Sequence, residues 1–321
     1  MLYHRHRETI GLGVAGLGVG RKFTSVVILS AGIAAVGLPS SAQQAGQDTF
    51  PSAGKASTAL VSALKADDEP ALMKILGPDA REIISSGDPV EDKGNRAEFV
   101  QKYEQMHRLI TEPDGKTTLY IGAENWPTPI PLVHKGSLWY FDTPAGKEEV
   151  LYRRVGRNEL AVIQVCHEMV DAEKEYYGQP HDGNSAHIYA EKFRSDPGKQ
   201  NGLYWDVSAG ESESPIGPLV AEASAIGYTT DEKHQPFHGY YFRILKGEKG
   251  PDGTHSYIED GKMTGGFAFL AYPAEYRSSG VMTFIVDANG IVYEKDLGRR
   301  TLEIAKNLTA YNRDPSWHKA D

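Results

Sequence analysis

The sequence predicts an α+β protein of two modules, each with helices packed on a small antiparallel sheet, and three observations lead there. Apolar residues first recur at helical steps of three and four, then switch to strand-like alternation near Thr117, then return to a helix that ends at Tyr177. The last third carries four short runs rich in aromatic and β-branched residues, separated by Gly, Asn and Asp turns. At 321 residues the chain exceeds the usual size of one domain.

The N-terminus comes first in order. Arg21-Lys22 precede a charge-free stretch over residues 23–38, followed by Pro39, Ser40, Ser41 and Ala42. A basic segment, a short apolar segment and small residues framing a cut are the parts of a secretory signal peptide, which assigns residues 1–42 to one. The apolar stretch is shorter than the roughly 20 residues of a membrane span, and Pro39 opposes the rival reading of a buried core helix. No cysteine lies near the cut to carry a lipid. The expected product is exported, periplasmic or extracellular, begins near Gln43 and keeps no stable membrane anchor.

Composition bounds the rest. Hydrophobic residues make up 40% and charged residues 24%, enough apolar material for buried cores. The formal net charge is -9; without Arg5, Arg7, Arg21, Lys22 and Glu8 of the leader, 30 basic and 42 acidic residues remain, a charge of -12. Such an acidic chain repels phosphate backbones, so nucleic acid is excluded as a partner. Cys166 is the one cysteine, so no disulfide can form within the chain and packing must hold the fold.

Residues 43–53, rich in Gln, Ala, Ser and Gly, read as a flexible lead-in. The first module, 54–152, opens with a helix carrying Ala56, Ala59, Leu60, Ala63 and Leu64, then a second with Leu72, Met73 and Leu76 that stops at Gly77-Pro78. Residues 85–94 read as a loop, followed by a helix with Phe99, Tyr103 and Met106 on one side. Strands follow over 117–121, 130–134 and 138–142, the last two joined as a hairpin around Gly136. This order of elements is compatible with the cystatin-like cone of nuclear-transport-factor-type domains, without a motif to mark it.

The second module, 153–310, opens with a helix over 158–177, capped by Asn158 and striped by Leu160, Ile163, Cys166 or His167, Val170 and Tyr177. A short helix over 188–193 follows, and residues 199–236 read as irregular. Strands are expected over 239–245, 266–272, 281–286 and 291–294, the last two joined by a turn at Asn289-Gly290. Inward residues of these strands, Phe284 among them, should meet Ile163 and Val170 of the helix. Residues 311–321 read as a disordered polar tail.

Several runs together carry a likeness: Ile130-Pro-Leu-Val, Arg153-Arg-Val-Gly-Arg-Asn-Glu-Leu160, Gly202-Leu-Tyr-Trp205, Gly239-Tyr-Tyr-Phe242, Gly261-Lys-Met-Thr-Gly-Gly-Phe267 and Tyr293-Glu-Lys-Asp-Leu-Gly298. With them the chain resembles the bacterial secreted domain-of-unknown-function family 2950 over nearly its whole mature length. That resemblance implies export and a shared fold, and no reaction. The C-terminal half is also similar to the heads of type IV pilins and pseudopilins, on Gly239, Tyr240, Phe242, Phe267, Ala271, Pro273, Thr283, Phe284, Asp287 and Gly290. A pilin's hydrophobic shaft helix is missing and a whole module precedes the long helix instead, so this similarity implies a head fold and leaves polymerisation in doubt.

Candidate chemistry is sparse. Cys166 and His167 are neighbours on a helix, about 100° apart, a poor geometry for a nucleophile and its base. His234 and His238 have the spacing of two helical zinc ligands, with Pro236 breaking the helix; His181 and His187 are the other weak metal candidates. Asp182 and Asn184 begin like a calcium loop that fails at Ala186. Nucleophile elbows, phosphate loops and dinucleotide fingerprints are absent. Glu148-Glu149 and Glu173 with Glu175 read as solvated pairs. Trp126 and Trp139 could present an aromatic surface to peptide or glycan, with packing inside the first module as the rival reading. Arg153, Arg154 and Arg157 either hold an anionic group or bridge the modules through acids such as Glu159, the bridge being favoured. The expectation is an exported, non-catalytic binding or assembly protein with no cofactor, its partner an envelope or extracellular protein or a glycan. The alternative is a secreted hydrolase with a carboxylate or metal site between the modules.

Overall fold

The fold is that of a computed structural model describing residues 43–181, 186–207, 212–229 and 235–320. Residues 1–42, where a signal peptide is expected, the loop begun by Asp182 and Asn184, and His234 lie outside the described residues.

Ser52 accepts from the Lys55 amide at 3.2 Å and starts α1 (Ala53–Lys65). Asp68 caps α2 (Glu69–Leu76) in the same way, and Gly77, at φ 85°, ends it. A single turn, α3 (Arg81–Ile84), leads to α4 (Pro89–Gln105). The loop expected over 85–94 thus gives its second half to α4. Asp88 is an N-cap and Pro89 sits in the first turn, where a missing N–H costs nothing.

Five strands follow: β1 (His107–Thr111), β2 (Thr117–Ile121), β3 (Trp126–Pro127), β4 (Leu132–Lys135) and β5 (Leu138–Phe141). They pair antiparallel in the order β1-β2-β4-β5, with β3 on β2. The expected hairpin is β4–β5, registered from Leu132↔Phe141 to Lys135↔Leu138. Leu60, Leu72, Ile75, Leu132 and Phe141 close the first core between helices and sheet. The lead-in belongs to it rather than hanging free: buried Gln47 donates through Nε2 to Ile75 O and Phe141 O, and Phe50 exchanges backbone bonds with Trp139.

Helix α5 (Thr143–Tyr177) is 35 residues long and begins fifteen residues before the expected cap. Pro144 fits its first turn. Gly146 marks where it presses on the sheet, since a Cβ there would lie 2.3 Å from Pro129 O. Asn158, expected as the cap, is instead a buried mid-helix residue, and the boundary expected at 152/153 falls inside the helix. The described residues accordingly belong to one compact unit holding two cores. The buried stripe of α5 runs through Val162, Val165, Cys166, Met169, Val170, Glu173 and Tyr176, whereas Leu160 is 72% exposed.

The expected helix over 188–193 is absent; that segment is irregular with bends at 191–193, and Lys192 O and Phe193 O accept from Leu203 and Tyr204. Within the stretch expected to be irregular stands α6 (Gly217–Ala225). The four expected strands are β6 (Tyr240–Leu245), then β11 (Ala268–Pro273), β12 (Met282–Asp287) and β13 (Val292–Asp296), after two small hairpins, β7 (Gly247–Gly250) with β8 (Gly253–Ser256) and β9 (Ile258–Glu259) with β10 (Lys262–Met263). Helix α7 (Thr301–Asn307) and β14 (His318–Lys319) complete the chain, and the main sheet runs β14-β13-β12-β11-β6. The tail is therefore ordered: β14 pairs with β13, Tyr311 bonds to Gly247, and Trp317 is buried under Lys295.

Every residue of β11 is buried because the sheet is covered on both faces. Strand alternation puts Phe242, Phe269, Phe284 and Val286 on the face of α5, in one core with Val162, Cys166 and Val170. On the other face Arg243 donates to the carbonyls of Ala305, Lys306 and Leu308 at the C-terminal end of α7, where a cation is favoured. No helix among the described residues is long and apolar enough to cross a membrane.

Candidate functional site

A cavity of about 460 Å³ lies inside the first core, within the range of small-molecule sites. Leu60 and Leu64 of α1, Leu72 and Leu76 of α2, Phe99 of α4, Ile121 of β2, Phe141 of β5 and Val150 of α5 make its apolar wall. Trp126 and Thr128 line it from the loop side, and Asp92, Asn95, Arg96, Glu98 and Lys102 from α4. Arg153, Arg154 and Arg157 reach it from α5. The helical period explains the last set: residues three and four apart share a face.

The three arginines do different things. Arg153 holds Glu149 at 2.6 Å and lies 5.0 Å from the Trp126 ring centroid, a cation–π contact at the cavity's edge. Arg154 is buried and spends its donors on Glu82 O at 2.8 Å, Ile83 O and Ser278 Oγ, tying α3 to the loop before β12. Burial pulls its pKa below the usual guanidinium value. Arg157 donates to Glu91 Oε1 at 3.3 Å and Asn95 Oδ1 at 3.2 Å. The bridge between the halves runs through Arg154 and Glu91; Glu159 plays another part, accepting from the Val281 and Met282 amides at 2.9 Å each.

Asp92 is the acid of the cavity. It is 3% exposed, its Oδ2 accepts from Ser86 N at 2.8 Å, and its Oδ1 has no partner. Burial raises its pKa, opposed by hydrogen bonds from the Ser86 amide and hydroxyl and by the nearby Arg154 and Arg96 charges. Thr128 Oγ1 is likewise buried without a partner. Such atoms are costly to leave unmet.

Beside the cavity, a polar junction joins the halves. Asp88 Oδ1 caps α4 at Glu91 N, while Oδ2 accepts from Tyr228 OH at 2.6 Å and Gly239 N at 3.0 Å. Asn158 donates to Glu91 Oε2 at 3.1 Å and Ser279 O at 3.0 Å. Gly239 sits at φ 72°, and a Cβ there would come 2.7 Å from Asn158 Nδ2. Burial raises Glu91 and Tyr228 and lowers His238.

The family's sequence profile, described as a protein of unknown function (DUF2950), matches residues 47–320. The chain belongs to the DUF2950 family. Neither a curated protein nor a solved structure matches it. The pilin-head likeness therefore rests on the sequence pattern alone.

In this DUF2950 chain the remaining candidates scatter. Trp139 lies outside the cavity, half-buried against the first core and tilted over His134. His181 is buried, stacks on Tyr176 and engages Tyr176 O through Nε2, and His187 engages Tyr177 O, so both serve the end of α5. His238 packs on Phe237 near Asp88. Among the described residues no three His, Cys, Asp or Glu side chains are grouped to hold a metal. Burial pushes the Cys166 thiol up to about 12, which makes it an inert packing group. A second cleft, about 1210 Å³, lies in the other half against Phe193, Tyr204, Tyr228, Phe237, Tyr241 and Tyr272. Asp92 and Thr128 carried no signal in the sequence: an acid in a segment read as loop looks solvated until α4 turns it inward.

Proposed function

We propose that this protein is exported and acts without catalysis, binding a small amphipathic molecule in the cavity of its first half. The observation that carries the reading is the cavity of about 460 Å³ walled by Leu60, Leu64, Leu72, Phe99, Phe141 and Val150, with polar residues at its edge. The leader pattern at 1–42 and the acidic composition of the rest support work in the envelope or outside the cell. A hydrolase working through a pair of carboxyls would need a second one facing the same space. Of the two acids lining the cavity, Glu98 is exposed and paired with Lys102, and Asp88 and Glu91 beside it are engaged by donors.

The test is binding of N-phenylnaphthylamine, a neutral fluorophore that brightens in apolar sites, to the protein lacking residues 1–42. Saturable binding is expected, and Val150→Trp, which fills the chamber from α5, should abolish it while leaving the melting transition in place. Absence of saturable binding, or binding untouched by V150W, refutes the cavity as the site.

A further inference from the structure

We infer that the cavity takes a single apolar tail with an anionic head, a molecule of the fatty-acid kind, and that Lys102, Arg153 and Arg157 hold the head at its mouth. The inference rests on the cavity being the binding site. Five cations line the chamber against two acids, Asp92 and Glu98. That balance is the reverse of the whole chain, whose formal net charge is -9. Low-dielectric walls focus such a local excess on an entering anion. The accessible members mark the mouth. Leu72, Ile121 and Phe141 of the apolar wall are buried, while the side chains of Lys102, Arg153 and Arg157 are 36%, 38% and 56% exposed. Arg153 and Arg157 lie one turn apart on α5, and Lys102 faces the same space from α4. The other two cations are spent on the fold: Arg96 meets Asp67 and donates to Ile84 O, and buried Arg154 donates to Glu82 O and Ile83 O.

The three accessible cations keep donors in hand. A guanidinium has five N–H groups and an ammonium three. Arg153 gives Nε to Glu149, Arg157 gives Nη2 to Glu91 and Asn95, and Lys102 meets Glu98 at 3.2 Å. Among the described residues these side-chain nitrogens have no other hydrogen-bonding or ionic partner, so both Nη groups of Arg153 and the Nε and Nη1 of Arg157 remain to be used. Exposed ion pairs are worth little, so a carboxylate head can share these cations with their present acids. Two parallel N–H groups of one guanidinium match its two oxygens. Asp92 does not turn the balance, because the Arg154 and Arg96 charges oppose its own. Glu98 is answered by Lys102, and the acids that meet Arg153 and Arg157, Glu149 and Glu91, do not line the chamber. The apolar wall sets the tail of the ligand, and the cations at the mouth set its head.

Decanoate, decan-1-ol and decylamine share one tail and differ in the head, so their displacement of N-phenylnaphthylamine at neutral pH tests the idea. Decanoate is expected to compete roughly ten-fold better than decanol, the worth of one hydrogen bond to a charged group, with decylamine weakest. That ratio should shrink in about 1 M salt, where charges are screened beyond ~3 Å. Arg153→Gln and Arg157→Gln should each lower it. Arg300→Gln removes the same charge from an exposed turn in the other half and should leave it in place. Decanol or decylamine binding best, three equal heads, a ratio untouched by R153Q and R157Q, or one lowered as much by R300Q overturns the inference while leaving the cavity reading intact; failure of the fluorophore itself overturns both. Should R157Q not fold, because it releases Glu91, Lys102→Gln takes its place with the same expectation.

Discussion

Glu173 is wholly enclosed between α5 and the segment at 190, with Oε2 accepting from Ala190 N at 2.9 Å and Oε1 unmatched. Burial raises its pKa from 4.5 to about 8, the Ala190 bond opposing. The folded chain thus keeps a proton that the unfolded chain has released above 4.5. Unfolding then frees a proton, so this residue's contribution to stability falls as pH rises from about 4.5 to about 8 and levels off beyond. Glu173→Gln mimics the neutral acid and should remove that slope. Denaturant melts of both proteins across this window would check it: the variant's advantage should grow with pH, and a constant difference would defeat the argument. The same burial logic leaves Cys166 protonated and structural.

At the scale of elements, α5 lies across the face of the main sheet that Phe284 and Val286 share with Phe242 and Phe269. Phe284 is fully buried at the centre of that face, with Tyr240 5.8 Å away between ring centroids. Phe284→Ala should cost on the order of 3–5 kcal/mol, read as a drop in the denaturant midpoint at constant slope; a loss under about 1 kcal/mol would mean the core collapses around the hole. The meeting of this strand with Val170 was legible in the sequence because alternation and helical period both leave a two-letter trace. The start of α5 was not. Asn158 looks like a cap by residue type, yet the helix already runs from Thr143, where Pro144 fits the first turn and Gly146 allows close approach to Pro129. The tail at 311–320 is polar by composition, and only the free edge of β13, distant in sequence, gives β14 a partner. The same distance hid the cavity: its walls come from α1, α2, α4, the first sheet and α5, and the inward turn of Asp92 depends on Ser86 holding it. Trp126 and the arginines were picked out as residue types, without the chamber that joins them.

At the scale of the whole molecule, the question is whether two cores make two folding units. Helix α5 argues against it, because one uninterrupted hydrogen-bond ladder contributes Val150 to the first half and Val162 to Tyr176 to the second. The junction argues the same way. Asp88 is fully buried and ties the start of α4 to Tyr228 and Gly239, while Arg154 and Asn158 reach from the helix to Ile83, Ser278 and Ser279. Opening either half would break these bonds, at about 0.5–1.5 kcal/mol each and about 1.5–3 kcal/mol for those to Asp88 or from Arg154. The two halves should therefore unfold together. Four tryptophans allow the measurement, two in each half. A protein keeping Trp126 and Trp139 reports the first core, and one keeping Trp205 and Trp317 reports the second. Their denaturant midpoints, each corrected for the cost of the Trp→Phe changes, should coincide. Asp88→Ala strands the Tyr228 hydroxyl and the Gly239 and Glu91 amides, and should lower both midpoints together, a stability loss of at least about 3 kcal/mol. Separate midpoints in the parent, or a fall confined to one reporter in D88A, would mean that α5 can fray at the junction and that each core holds itself.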